Sequence, residues 1–286
     1  MPISPNAWLR NIISGSKCLA MKAVPVFAMM VLGLSSTGNA SAASSDWFEM
    51  EGARIRLVTA GVADEKGRLK GALDIELKPG WKTYWRDPGD AGVPPMIDLS
   101  ANPGFAGAEI LFPAPQRHDE GDFQWAGYDH PVRLPVTFTL NGEQVSSPIE
   151  ADVFIGICET ICVPVQARLV VEPAIAPENQ QDIQVVTAAF STLPQDATPD
   201  FGVTVAQEAG GKILLEATLP DGAASAELFI AGDDGYAFST PVKEEHGGKS
   251  FFSVEVSRPR DKPSGPGLHY TLVTESGAAN GLLPYF

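Results

Sequence analysis

Hydrophobic and polar residues alternate with a period of two in many short runs along the chain. The runs are residues 73–77, 136–140, 149–157, 163–169, 203–205, 213–217, 228–230, 252–256 and 268–272. This period is typical of strands that bury one face and expose the other. Turn-forming dipeptides separate several runs, among them Asn141-Gly142, Asp221-Gly222 and Asp234-Gly235. Short strands at this spacing predict an all-β fold made of β-sandwiches.

The alternation breaks at residues 172–181, where the sequence EPAIAPENQQ holds two prolines and mostly polar residues. This segment is the best candidate for a linker. A short helix is expected after it, since three apolar residues have the spacing of one helical face: Ile183, Val186 and Phe190. We therefore predict a β-sandwich over residues 46–174 and a second, smaller β-domain over residues 182–286.

The first 42 residues have the pattern of a secretory signal peptide. They contain no acidic residue and three basic ones, followed by an apolar run at Ala23–Leu34 and by the cleavage-like sequence Ala40-Ser41-Ala42. The apolar run is too short for a comfortable membrane span, and no later stretch approaches 18 consecutive apolar residues. We expect a mature chain that starts near Ala43, is exported to the periplasm and does not span the membrane.

Composition narrows the classes of function. The chain has 286 residues, 20 of them Lys or Arg and 35 Asp or Glu, which gives a formal charge of −15 that becomes −18 without the three basic leader residues. Such an acidic chain is a poor partner for nucleic acids. With 24 prolines and 28 glycines, long coiled coils are unfavourable, while 44% hydrophobic residues argue against disorder. The sequence has no Gly-x-Ser-x-Gly, His-Glu-x-x-His or phosphate-loop motif of a hydrolase.

Two cysteines remain after export, because Cys18 lies in the leader. Cys158 and Cys162 border the tip of a predicted hairpin between the strands at 149–157 and 163–169. In each strand the cysteine has the parity of the polar residues, so we expect both thiols to point away from the core. They would then be accessible and close enough to form a disulfide, which an oxidising compartment permits.

The residues alone leave three interpretations of the pair open. A structural disulfide closing about five residues would contribute only about 2 kcal/mol by the loop-entropy argument. A redox-active disulfide fits the exposed position equally well. Two thiolates four residues apart can also hold Cu(I), with His118 or His130 as possible further ligands.

Two aromatic-rich segments without clear periodicity, residues 79–95 and 112–135, are predicted to be loop-rich. Aromatic side chains in such loops could form a lid over the disulfide. The residues expected to fill the ends of the sandwich instead are Trp81, Tyr84 and Trp85. Phe123 and Trp125 are flanked by polar residues, and for them a lid and a core position are equally compatible with the sequence.

A set of motifs in order resembles the N-terminal periplasmic domain of the thiol:disulfide interchange protein DsbD. The motifs are the strand at 73–77, Gly80-Trp81-Lys82-Thr83-Tyr84-Trp85-Arg86, Asp119-Glu120 with Phe123, Leu134-Pro135-Val136, and Cys158 to Cys162-Val163-Pro164. The resemblance covers about residues 46–172 and is closest to the branch found in copper-sensitivity suppressor proteins.

The resemblance implies an immunoglobulin-like β-sandwich whose two cysteines pass electrons by successive disulfide exchange. Cys158 and Cys162 would be this pair, and Cys162 would form the mixed disulfide with client proteins. Phe123 matches the family's cap-loop phenylalanine in approximate position, and Asp119 or Glu120 would correspond to acidic residues near the pair. The separation of the cysteines is shorter than in the best-known members, so the family's redox potential is not carried over.

These observations predict a periplasmic thiol:disulfide interchange protein, an oxidoreductase component that needs no cofactor. Its expected partners are thioredoxin-like periplasmic proteins and a membrane electron donor. The donor is expected on another polypeptide, because no multi-helix membrane domain or thioredoxin domain appears before Phe286. The alternative is a periplasmic copper-binding or copper-tolerance protein that uses the same cysteines.

Overall fold

The computed structural model describes residues 43–89, 92–121, 124–142, 148–232, 235–261 and 263–286. The strands of the N-terminal half are β1 (Phe48–Met50), β2 (Ala53–Ala60), β3 (Arg68–Leu77), β4 (Thr83–Gly89), β5 (Met96–Asp98), β6 (Phe105–Ile110), β7 (Gln116–Asp119), β8 (Gln124–Tyr128), β9 (Val132–Leu140), β10 (Ile149–Cys158) and β11 (Cys162–Val171). The helix is α1 (Gln180–Ser191). The strands of the C-terminal half are β12 (Gln195–Asp196), β13 (Gly202–Ala209), β14 (Lys212–Thr218), β15 (Ala226–Ile230), β16 (Ala237–Phe238), β17 (Val242–His246), β18 (Lys249–Ser257), β19 (Leu268–Thr274) and β20 (Gly277–Leu283).

The N-terminal half is an antiparallel β-sandwich. One sheet has the order β1-β2-β3-β9-β6, and the facing sheet has the order β11-β10-β5. The inward side chains of both sheets form one apolar core, in which Leu73, Phe138 and Ile155 are fully buried. The predicted strands therefore form where the alternation placed them, because their apolar faces are covered only when the two sheets pack together.

A third, small sheet with the order β4-β8-β7 lies beside the tip of the β10–β11 hairpin. Lys82, the residue before β4, is joined to the hairpin by two backbone hydrogen bonds: Lys82 N–H donates to the Cys158 carbonyl at 2.8 Å, and Cys158 N–H donates to the Lys82 carbonyl at 3.0 Å. The two segments expected to be loop-rich, residues 79–95 and 112–135, thus contain the three short strands of this sheet. These strands have only four to seven residues, and the β4–β8 register shifts after Tyr84, so no period of two is visible.

Helix α1 packs on the outer face of the first sheet. Its N-cap, Asn179, accepts a hydrogen bond from Gln181 N–H at 2.9 Å, which ends the proline-containing segment and starts the helix. The helical face carries Val186 and Ala189, which pack against a small apolar cluster on β2 and β3. The predicted helix is therefore present, and it rests on the N-terminal half.

The C-terminal half has two further sheets around a core of its own. The first has the order β12-β20-β19-β15, and the second has the order β13-β14-β18, with β16 and β17 both paired to β18. Leu215, Phe252 and Leu272 are buried between them. Two residues from the end of β15 and just after it, Phe229 and Ala231, belong instead to the apolar core of the N-terminal half.

The predicted signal peptide, residues 1–42, lies outside the described residues. In the part of the chain that is described, no helix has both the length and the apolar character needed to cross a membrane.

Candidate functional site

The hairpin of β10 and β11 closes on a disulfide. The antiparallel register places Cys158 directly opposite Cys162, and the two sulfurs are bonded, with Cα atoms 4.1 Å apart. Glu159, Thr160 and Ile161 form the exposed turn between them. The alternation over ten residues on each strand fixes this register, since a relative shift by one would turn the apolar residues of one strand outward.

The two cysteines differ strongly in exposure. Cys162 is exposed, whereas Cys158 is only 1% exposed. The expectation that both thiols are accessible is therefore wrong for Cys158. Its side chain does point away from the sandwich core, but near the tip that face of β10 is covered by β4 and β8, whose residues Tyr84 and Trp125 enclose it. Only one sulfur of the disulfide can be reached by another protein.

Tyr84 places its hydroxyl against both sulfurs. The oxygen lies 2.8 Å from Cys158 Sγ and 3.0 Å from Cys162 Sγ. The ring fits because residue 156 on β10 is glycine: a Cβ there would lie 3.1 Å from two ring carbons. Burial raises the pKa of Tyr84, and the negative charge of Glu120 raises it further. The hydroxyl therefore stays protonated at neutral pH and is available as a hydrogen-bond donor.

Trp125 is the second cover of Cys158 and is held by a polar network. Its ring meets Tyr84 edge-on at 5.9 Å between centroids and stacks on His118 at 3.9 Å. The indole N–H donates to Glu120 Oε1 at 2.8 Å, and the same oxygen pairs with Lys82 Nζ. The Lys82 ammonium also lies 4.6 Å from the centre of the indole ring. Hydrogen bonds from Lys82 and Trp125 lower the pKa of Glu120, so this carboxylate remains charged at neutral pH.

The histidines do not gather around the sulfurs. Burial against Trp125 lowers the pKa of His118, which favours a neutral ring in the stack. His130 Nδ1 lies 3.0 Å from a carboxylate oxygen of Asp129, on an exposed turn. Within the described residues, no three His, Cys, Asp or Glu side chains lie close enough to hold a metal ion. The geometry thus provides no ligand set beyond the two sulfurs for the copper alternative.

The structure brings together some of the residues singled out by sequence and separates others. Cys158, Cys162, Trp125 and Glu120 share the site. Asp119 is exposed, and its carboxylate accepts hydrogen bonds from Gly121 N–H and from the Gln124 amide, apart from the sulfurs. Phe123 lies outside the described residues.

Two contributors were missed as site residues, Lys82 and Tyr84, and His118 was considered only as a possible copper ligand. Tyr84 was assigned to the end of the sandwich, where its neighbour Trp85 does lie in the core. A signal was available, because successive residues of a strand point to opposite faces, so Tyr84 and Trp85 cannot both face that core. Lys82 shares the parity of Tyr84 and extends the same face toward Glu120.

Comparison with known proteins places this site in a family. Residues 56–173 match the family described as the N-terminal domain of the thiol:disulfide interchange protein DsbD. This segment belongs to the DsbD N-terminal domain family. The matched DsbD N-terminal domain starts within β2, ends just after β11 and contains every residue of the site described above.

A solved structure shares the fold over a longer stretch. The crystal structure of the N-terminal periplasmic domain of ScsB from Proteus mirabilis aligns with a TM-score of 0.68 and 19% sequence identity, over 86% of this chain and 100% of that one. The aligned part of this chain is longer than residues 56–173, so the structural similarity includes strands of the C-terminal half. No curated protein matches the chain in sequence.

Proposed function

We propose that the chain is a periplasmic thiol:disulfide interchange protein that relays electrons through Cys158 and Cys162 to or from thioredoxin-like partners. The observation that carries the proposal is the asymmetry of the disulfide, with Cys162 exposed and Cys158 enclosed by Tyr84 and Trp125. A relay needs one sulfur that a partner can attack and a second that resolves the intermediate. A disulfide that only closed this local hairpin would add little stability and would not require such a cover.

The exchange is balanced in electrons and protons. In the reduced protein, the Cys162 thiolate attacks one sulfur of a partner disulfide, the partner's other sulfur leaves as a thiolate, and a mixed disulfide forms. Cys158, deprotonated, then attacks Cys162 Sγ and releases the partner's second thiolate. The Cys158–Cys162 disulfide is restored, and two electrons have passed to the partner, whose thiolates take up protons according to their pKa values. The reverse sequence reduces this disulfide at the expense of an electron donor's dithiol.

The surroundings of the two sulfurs suit these roles. The protonated Tyr84 hydroxyl can donate to whichever sulfur carries the negative charge, which stabilises a thiolate next to it. Ile161 and Val163 flank Cys162 and are 76% and 43% exposed, so they offer apolar contact to a docked protein. Cys158 is enclosed by Tyr84 and Trp125 and is therefore protected from thiols in solution.

The predicted signal peptide and the periplasmic origin of the ScsB domain support a periplasmic location for this chain. A disulfide that cycles there must be re-reduced from a cytoplasmic source of electrons. We therefore assign the role of donor to a membrane protein domain with a dithiol facing the periplasm.

A trapping experiment with single-cysteine variants tests the proposal. Cys158→Ala keeps the exposed nucleophile and lacks the resolving thiol, so it should accumulate a mixed disulfide with an oxidised thioredoxin-like protein on a non-reducing gel. Cys162→Ala is the matched control, and it should trap at least about tenfold less because Cys158 is enclosed. Absence of a trapped species with Cys158→Ala, or equal trapping by both variants, would argue against the relay.

A further inference from the structure

Strands β7 and β8 of the small sheet beside the disulfide have a second face that looks away from it. We call β7 and β8 together the cover ribbon. Their register pairs His118 with Trp125 and Arg117 with Ala126. Directly paired residues share a face and successive residues alternate, so His118 and Trp125 lie on the disulfide side, whereas Arg117 and Ala126 lie on the opposite side. Residues that contact the opposite face of the cover ribbon can therefore affect the position of Trp125 over the disulfide.

Arg117 fixes that other face to the C-terminal half. Its Nε donates to Glu227 Oε1 at 2.8 Å, and a terminal nitrogen donates to the Leu228 carbonyl at 3.0 Å. The guanidinium also lies 4.5 Å from the centre of the Phe229 ring. All three contacts are on β15, and the Arg117 side chain is only 19% exposed. The Glu227 side chain is 45% exposed, so the pair is only partly shielded from water, but charge-assisted hydrogen bonds are stronger than neutral ones.

Further contacts tie the same region to the C-terminal half. Thr240 Oγ1 donates to Gln124 Oε1 at 2.8 Å on the other strand of the ribbon. On β4, Asp87 accepts a hydrogen bond from Gly232 N–H at 2.5 Å, next to the residues that place Tyr84. Strands β4, β7 and β8 are therefore all anchored by residues that follow β14 in the sequence.

The ribbon needs such anchors because it is short. Strand β7 has four residues, pairs only with β8 and forms the edge of its sheet. Few backbone hydrogen bonds hold it, so side-chain contacts determine whether it stays closed or opens locally.

We propose that Arg117 is a positioning residue through which the C-terminal half holds the cover ribbon closed over Cys158. The residue touches neither sulfur and acts through the stack of His118 on Trp125. The consequence for electron transfer rests on the proposed relay function, whereas the consequence for access to Cys158 does not.

Labelling of Cys158 in the reduced Cys162→Ser variant tests this inference, with iodoacetamide as the probe and mass spectrometry of the Cys158 peptide as the readout. Adding Arg117→Ala should accelerate labelling about tenfold, as expected for losing a charge-assisted hydrogen bond that favours the closed state. Arg117→Lys keeps a charge opposite Glu227 and should give an intermediate rate.

The matched control is Arg168→Ala. Arg168 also forms a two-pronged pair with a carboxylate, Asp152, but both residues are exposed on β10 and β11 and make no bridge to the C-terminal half. Its loss should leave the labelling rate of Cys158 unchanged. An unchanged rate in a folded Arg117→Ala variant would overturn the inference. The inference would also be overturned if the labelling rate of that variant equalled the rate calculated for labelling through global unfolding, with the free energy of unfolding taken from urea titration.

A double variant distinguishes an effect of Arg117 that acts through the cover ribbon from a general destabilisation of the protein. Trp125→Ala removes the cover itself, so Arg117→Ala should add no further acceleration in that background. Independent, multiplying effects would contradict the proposed route. Because labelling uses no partner protein, these results hold whether or not a mixed disulfide is trapped, and failure of one proposal is distinguishable from failure of the other.

Discussion

Tyr84 is the side chain on which the chemistry of the exposed sulfur depends most directly. Its hydroxyl lies 3.0 Å from Cys162 Sγ. It stays protonated at neutral pH, because burial raises the pKa of Tyr84 above its ordinary value. When the disulfide is reduced, this donor can stabilise a thiolate on Cys162 in the same place. The strand that carries Tyr84 thus contributes to the reactivity of a cysteine 78 residues further along the chain.

Replacing Tyr84 with phenylalanine should lower the reactivity of Cys162 while preserving the ring that covers Cys158. In the reduced Cys158→Ala background, we expect labelling of Cys162 by iodoacetamide at neutral pH to slow about tenfold, because a hydrogen bond to a charged group is lost. The pH–rate profile should shift to higher pH. Cys162 is already exposed, so a change in access cannot mimic this shift.

The control for that measurement is Tyr270→Phe. Tyr270 also uses its hydroxyl in a buried hydrogen bond, accepting from Val203 N–H at 3.0 Å, but it lies in the core of the C-terminal half. The pH–rate profile for labelling of Cys162 in the Tyr270→Phe variant should match the profile of the parent Cys158→Ala protein. A Tyr84→Phe profile identical to the parent would show that the hydroxyl does not act on the thiolate.

At the scale of elements, the site depends on how closely β4 and β8 approach each other. Gly127 on β8 pairs with Tyr84, and a Cβ at Gly127 would collide with the Thr83 carbonyl oxygen and the Tyr84 Cα. Both obstacles are backbone atoms, which cannot rotate away. Only glycine lets β4 lie near enough to put the Tyr84 hydroxyl on the sulfurs.

Gly127→Ala should therefore destabilise the protein by about 1–3 kcal/mol, as overpacking against rigid atoms does. Urea unfolding followed by tryptophan fluorescence measures the change in the free energy of unfolding. Gly107→Ala on β6 is the matched control, because a Cβ there would meet nothing within 4 Å. If both substitutions cost the same, the close approach of β4 and β8 is not what Gly127 provides.

The elements also show which parts of the site follow from sequence. Strands β10 and β11 are ten residues each, and their alternation specifies the hairpin, its register and the pairing of Cys158 with Cys162. The burial of Cys158 could not be predicted from this alternation. It depends on Tyr84, which is 74 residues away in the chain, and on strands too short to show a period. Local patterns determine strands, whereas packing of one sheet against another determines which sulfur is covered.

At the scale of the whole molecule, the two halves share apolar surface as well as hydrogen bonds. Phe229 is 2% exposed and packs edge-on against Trp85 at 5.9 Å between centroids, within the core of the N-terminal half. The tryptophans of the described residues all lie in the N-terminal half: Trp47, Trp81, Trp85 and Trp125. Their fluorescence reports unfolding of the N-terminal half, and Trp85 also senses loss of its contact with Phe229, while amide hydrogen exchange in β19 reports the C-terminal half.

Because a buried aromatic residue and Arg117 both cross the interface, the two halves should unfold in one cooperative transition. In the wild-type protein, the urea midpoints from tryptophan fluorescence and from exchange in β19 should coincide. Phe229→Ala removes the apolar contact at a cost of about 3–5 kcal/mol and should separate the midpoints. Phe252→Ala, an equally buried phenylalanine in the core of the C-terminal half, should lower both midpoints together. Midpoints that already differ in the wild-type protein would mean that the C-terminal half is too weakly coupled to hold the cover ribbon in place.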